Sequence, residues 1–262
     1  MRPTLILCAL ILWTHARADS IDWEFLPPHG RPARLSIADP REIAMQLAYQ
    51  GDSKLIADVG NYFSFLSAQS ADKRWIAHFG IEGCGFFTLR REEGRFPLET
   101  IDGLIGLYTE AKAGAWQTQL RYTHISAHLA DGSGGTPIAY SREFAALKEA
   151  FVPDDTLHAY LAFQTLVNST PNLPPLGADW GGSYFLPINS QFTPFIGLDM
   201  KWRQETIYNP SLSLQLGIAL NHPPDAYTSF RFYYAYYTGQ DPRGQYYMRE
   251  LTVHSIAIEM QI

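Results

Sequence analysis

The sequence predicts an all-β protein, a transmembrane antiparallel β-barrel of about twelve strands, an even number as in single-chain outer-membrane barrels. Apolar residues alternate with small or polar ones over stretches of about ten residues, the length a tilted membrane-spanning strand requires. Such stretches recur along the chain between turn-rich pieces. Outside the N-terminus, no apolar run approaches the ~20 residues of a spanning helix, so any crossing must be made by strands.

The chain opens with Arg2, an apolar run from Leu5 to Trp13, and Ala16-Arg17-Ala18 in the small-x-small pattern of a signal-peptidase site. Residues 1–18 are therefore expected to be a secretory signal, with Cys8 too early in the run for a lipoprotein cleavage site. Residues 19–41 are polar and carry Pro27, Pro28, Pro32 and Pro40, which predicts an extended lead-in rather than a domain. The barrel domain is expected over 42–262.

Within it, candidate strands lie near 42–51, 57–69, 75–89, 102–113, 116–129, 138–151, 157–168, 178–187, 193–202, 211–220, 229–239 and 251–262. The clearest is Ser211 to Leu220, where Leu212, Leu214, Leu216, Ile218 and Leu220 oppose Ser211, Ser213, Gln215, Gly217 and Ala219. In 193–202, Ile196, Leu198, Met200 and Trp202 oppose Thr193, Gly197, Asp199 and Lys201. At the end, His254, Ile256, Ile258 and Met260 oppose Ser255, Ala257 and Glu259, and the final Ile262 stands where such barrels commonly have Phe. Ser141 to Phe151 also reads as a helix, which would change the count.

A periplasmic β-sandwich alternates too, but hides its apolar face. The polar partner face argues for a barrel: Gln46, Glu82, Glu110, Lys112, Asp199, Lys201, Gln215, Arg231 and Glu259 would fill a polar lumen. Trp202 and the run Tyr233 to Tyr237 suit aromatic girdles at the membrane interfaces. Composition agrees: charged residues are 18% against about 25% in soluble chains, while aromatics reach 14%. A formal charge of -6 argues against nucleic acid, which needs a basic footprint. The expected location is the cell outer membrane, the expected partners are membrane lipid and the barrel-assembly machinery, and no cofactor is expected.

Chemistry concentrates in Tyr122-Thr-His124-Ile-Ser126-Ala-His128-Leu-Ala-Asp131. On a strand, residues two apart share a side, so His124, Ser126 and His128 form one row. A His beside a Ser can take the hydroxyl proton if a third group orients the imidazole. Asp131, Glu110 and Glu143 are candidates for that group, and spacing alone favours none, although Glu143 is taken as the working assignment. Gln117, Gln119, Arg121 and Thr123 take the lumen side, so His124 and Ser126 are expected to face lipid near a strand end. His124 and His128 lie about 13 Å apart on a strand, too far for a shared metal. Cys84, in a Gly-Cys-Gly segment, reads as a small buried residue, and His29, His78, His158, His222 and His254 as turn or girdle residues.

His124-x-Ser126 on an outward barrel face resembles outer-membrane phospholipase A and the outer-membrane lipid A deacylases, and that resemblance implies Ser126 as nucleophile and His124 as base. The phospholipases carry an Asn about a dozen residues later, and none lies between Ser126 and Phe151. More broadly, Ile37-Ala-Asp-Pro-Arg41, Tyr122 to Asp131, Tyr140-Ser-Arg-Glu143, Tyr208 to Gly217 and Gly244-Gln-Tyr-Tyr247 resemble the bacterial family known as domain of unknown function 1207. Its His-x-Ser-Ser-His-Leu-Gly-Asp pattern has Ala127 and Ala130 in place of the second Ser and the Gly here, leaving Ser126 to carry any chemistry. The expected function is hydrolysis of an acyl ester of membrane lipid, phospholipid or lipid A, by Ser126, His124 and Glu143, with His128 and Asp131 as supporting binding residues. The alternative is a non-catalytic barrel, a narrow passive channel or structural envelope protein.

Overall fold

The structure is a computed structural model that describes residues 20–27, 31–51, 53–188, 191–220 and 229–261. The expected signal, His29, His222 and Ile262 lie outside the described residues. Described are β1 (Ile21–Phe25), β2 (Met45–Gln50), β3 (Lys54–Ser70), β4 (Trp75–Arg90), β5 (Leu98–Ala113), β6 (Trp116–Leu129) and β7 (Ser141–Phe151). They continue with β8 (Leu157–Thr170), β9 (Leu176–Phe185), β10 (Phe192–Arg203), β11 (Ser211–Leu220), β12 (Ser229–Gln240) and β13 (Glu250–Gln261).

Strands β3 to β13 each pair antiparallel with the next, and β13 pairs with β2, which pairs with β3. This closes a twelve-stranded barrel from β2 to β13, with no free edge around the ring. The segment 141–151 is strand β7, so its Leu and Ala residues serve alternation rather than a helical stripe. Strand β1 is additional: it pairs with Leu66–Ser70 of β3, beyond the stretch of β3 that β2 covers.

Alternation divides the wall as the residue pattern requires. On β11, Ser211, Ser213 and Gln215 are buried while Leu216 and Ile218 are exposed. On β10, Asp199 is 1% exposed, whereas Ile196 and Leu198 stand outside. Leu107, Phe163, Phe232 and Ile256 extend the same exposed apolar wall. A surface that turns its oily residues outward and its charges inward suits lipid, not water. Among the described residues no helix is long and apolar enough to cross a membrane; the strands do so.

The interior is filled by ion pairs, and the lead-in takes part in them. From Arg31 to Ala44 the chain runs inside the barrel, where Ser36, Ile37, Ala38 and Ile43 are buried. Arg31 pairs with Glu110 of β5 at 2.5 Å, Arg41 with Asp102 of β5 at 2.9 Å, and Asp39 with Lys201 of β10 at 2.7 Å. Glu42 accepts from Tyr62 Oη at 2.6 Å and from Ser36 N at 2.9 Å, with Lys148 Nζ 3.8 Å away. Gly197 leaves the room that Ile37 and Ala38 occupy against β10. Cavities of about 160 and 100 Å³ lie in the lumen, both bordered by Pro40 and Arg41.

Three details differ from expectation, and a fourth agrees with it. Tyr233 and Tyr237 do not join a girdle: Tyr233 is buried and donates to Gln46, and Tyr237 donates to Gln240 O, because odd positions of β12 point inward. His78 and His158 are lumen residues, each 1% exposed, not turn or girdle residues. Lys112 is exposed near the end of β5 rather than enclosed. Cys84 is a free, buried thiol, as expected of a small wall residue.

Two substitutions test this arrangement. Leu216→Arg, at the middle of the outer wall, is expected to lower the unfolding free energy in lipid vesicles by about 2–4 kcal/mol; a negligible change would mean that this face does not meet hydrocarbon. Glu42→Ala leaves Lys148 and the arginines around it without their carboxylate and is expected to cost about 3–5 kcal/mol. The denaturant midpoint of the folded barrel reads that loss.

Candidate functional site

The site is built by the cross-strand register of β6 and β7. On β6, Gln117, Gln119 and Thr123 are buried inside, so the alternate residues His124, Ser126 and His128 face outward. On β7, Lys148 and Ala150 are buried inside, which turns Ser141 and Glu143 outward. The register places Glu143 directly opposite His124, and Ser141 opposite Ser126.

His124 Nδ1 lies 3.5 Å from Glu143 Oε1, with the two side chains 41% and 35% exposed. A carboxylate at Nδ1 favours the tautomer with the proton on that nitrogen and leaves Nε2 free to accept one. Ser126 stands two residues along the same outward face. Among the described residues Ser126 Oγ forms no hydrogen bond, to His124 or to any other group, and the side chain is half-buried. On its other side stands Gly103 of β5, where an added Cβ would meet nothing but Ser126 Oγ, at 3.9 Å. The outer wall is therefore open beside the hydroxyl.

The other predicted residues are placed differently. His128 is exposed, one step farther along the same row. Asp131 stands in the exposed turn beyond β6 and forms no ion pair with either histidine among the described residues. Glu110 points into the lumen, held by Arg31 and Gln119, and cannot serve His124. Among the described residues no group of three His, Cys, Asp or Glu side chains is arranged to hold a metal ion.

Sequence reasoning missed three neighbours. Asn168 of β8 is paired with Glu143 on the side away from His124, next to an irregularity of register between Glu143 and Phe144. Ser141 and Gly103 flank Ser126. Only the register across strands brings these residues together, and no local spacing signals it.

A second Ser–His contact was also unforeseen. Ser64 Oγ lies 3.0 Å from His78 Nδ1 and 2.7 Å from Tyr108 Oη. It lies inside the barrel, and His78 is 1% exposed, so a lipid could reach it only if the wall opened. It is a satisfied interior network.

Comparison with known proteins bears on the family. Residues 26–261 match the family described as "Protein of unknown function (DUF1207)". Among curated proteins none matches the chain. Among solved structures, the NanC porin is similar with a TM-score of 0.46 at 13% identity, over 83% of this chain and 98% of that one. OmpT, an outer membrane protein of Vibrio cholerae, is similar with a TM-score of 0.38 at 10% identity, over 82% of this chain and 93% of that one.

Proposed function

The chain belongs to the DUF1207 family, and from that premise we propose that this outer-membrane-type barrel hydrolyses an acyl ester of membrane lipid, phospholipid or lipid A, on its outer wall. The observation that carries the proposal is the pairing of His124 with Glu143 across two strands, on the face that also bears Ser126. A base, its orienting acid and a hydroxyl on one lipid-facing surface are the parts an acyl transfer needs.

In the proposed reaction, Ser126 Oγ attacks the ester carbonyl carbon while His124 Nε2 takes the hydroxyl proton. The tetrahedral intermediate collapses, the bond from the carbonyl carbon to the alcohol oxygen breaks, and the His124 proton passes to the departing lipid alcohol. Water, deprotonated by His124, then attacks the acyl-Ser126 ester and releases a fatty acid with the serine restored. Glu143 holds the ring and stabilises its cationic form. The lumen, crossed by Arg31 to Ala44 and filled with ion pairs, supports a reaction on the wall over a passive channel through the centre.

The test is acyl release from phospholipid and from lipid A in parallel, by the purified folded barrel in detergent, with and without calcium. Ser126→Ala and His124→Ala are expected to abolish release, and Glu143→Ala to lower it by about 10²–10⁴-fold. Gly103→Leu, which fills the opening beside Ser126 Oγ, is expected to reduce release with the three side chains intact. Ser64→Ala in the interior network should leave the rate unchanged. No release from either lipid by a folded wild-type barrel sinks the proposal.

A further inference from the structure

β6 outlasts its partner. The rung Ser126–Ser141 is the last that β7 provides, and beyond it Ala127, His128 and Leu129 pair as strand only with β5. The open side of β6 there is closed from within by the connection between β12 and β13. That connection folds into the barrel mouth through a short 3-10 turn, Gly244–Tyr246.

One side chain makes the splice. Ala127 N donates to Tyr140 O at 3.2 Å, while Ala127 O accepts from Gln245 Nε2 at 2.5 Å. The same carboxamide meets the backbone of Ile138 at both ends: Gln245 Oε1 accepts from Ile138 N at 3.0 Å, and Gln245 Nε2 donates to Ile138 O at 2.9 Å. Gln245 thus acts as a detached peptide unit that carries the β6–β7 ladder past its last rung. Gln245 is buried, and its bond to Ala127 O is shielded from water.

The turn is itself anchored. Gly244 N donates to Asp102 Oδ2 at 2.9 Å, the carboxylate that also holds Arg41 of the luminal segment. Tyr246 Oη donates to Glu99 Oε1 at 3.0 Å, and the rings of Tyr247 and Tyr140 lie 5.5 Å apart. A Cβ at Gly244 would strike the Tyr140 ring and Ala127, so only glycine lets the turn sit this close to β6.

We infer that Gln245 is a positioning residue for the outer-wall site: from inside the barrel it fixes the strand ends that carry Ser126 on one side and Ser141 and Glu143 on the other. The inference rests on the hydrolase reading above. Gln245 touches no substrate, and it acts through the backbone at Ala127 and Ile138. Without it, beyond the last rung only the Ala127 N to Tyr140 O bond ties β6 to the chain that enters β7, and a displacement of about 1 Å in a reacting group can cost about 10²-fold in rate.

The test uses Gln245→Ala and the near-isosteric Gln245→Glu, which retains an acceptor for Ile138 N but has no donor for Ala127 O. Each is measured, beside wild type, for kcat and KM of acyl release and for the rate at which a fluorophosphonate labels Ser126. Folding is followed by the shift in gel mobility on heating. The expected result is a folded barrel, a fall of about 10- to 100-fold in kcat and in labelling rate, and little change in KM. A role confined to stability would lower the fraction of protein labelled and leave the rate of the folded remainder unchanged, which overturns the inference. Labelling and turnover at the wild-type rate in both variants overturn it as well, with the hydrolase reading intact. A folded wild type that neither releases acyl chains nor reacts at Ser126 overturns both.

Discussion

Hydrocarbon offers a backbone no hydrogen-bonding partner, so each N–H and C=O of a spanning strand must be paired within the protein. The pairing of Ser255–Met260 of β13 with Met45–Gln50 of β2 meets that demand by closing the sheet on itself. Closure separates an inside from an outside, and strand geometry sends successive side chains to opposite sides of that boundary. The exposed Leu216 and the buried Gln215 are neighbours in sequence, yet one meets lipid and the other the lumen. A slip of one residue in register would exchange them, which is why the two-residue pattern specifies the pairing so strongly.

Closure also gathers charge. Glu82, Glu110, Asp102, Asp199, Lys148 and Arg231 are all buried in the interior, where an uncompensated charge is costly. Some are matched within the wall, as Arg231 is by Glu259 and Arg121 by Glu82. Others depend on the chain before the barrel: Glu110 on Arg31, Asp102 on Arg41, and Lys148 on Glu42. The luminal segment is therefore part of the electrostatic completion of the barrel. Removing one partner of such a pair is far more damaging than replacing both with packed apolar groups.

The strands were legible because alternation is imposed locally, residue by residue, by the lipid boundary. The ambiguity at 141–151 arose because Ala145, Ala146 and Leu147 fit either element; what decides for strand is pairing with β6 and β8, which no local pattern encodes. The role of the lead-in was hidden for the same reason. Its prolines and polar residues read as a linker, and their partners lie far along the chain, Arg31 with Glu110 and Asp39 with Lys201. At the site, the row His124, Ser126, His128 follows from strand period alone. Strand period could also have removed Glu110 from the acid candidates, since Asp102 and Glu110 share the parity opposite to Ile101, Ile105 and Leu107 on β5. That Glu143, and not Asp131, lies opposite His124 depends on the β6–β7 register, and Gln245 was beyond reach because its contacts join segments more than a hundred residues apart.

The position of the site along β6 links the wall to the proposed chemistry. Ser126 stands three residues from the end of the strand at Leu129, about 10 Å along a tilted chain. Polar side chains are least costly there, near the boundary between acyl chains and headgroups. The ester carbonyls of membrane lipids lie at that boundary, which is where the proposed reaction needs a hydroxyl near a strand end to stand. The depth has a mechanical consequence: strand ends fray, and the site occupies the last rungs that β7 shares with β6. A catalytic group cannot be both near the interface and deep within a rigid ladder unless something extends the ladder. The turn at Gly244–Tyr246, reaching over from the far end of the chain, supplies that extension from the lumen side and leaves the outer face clear for lipid.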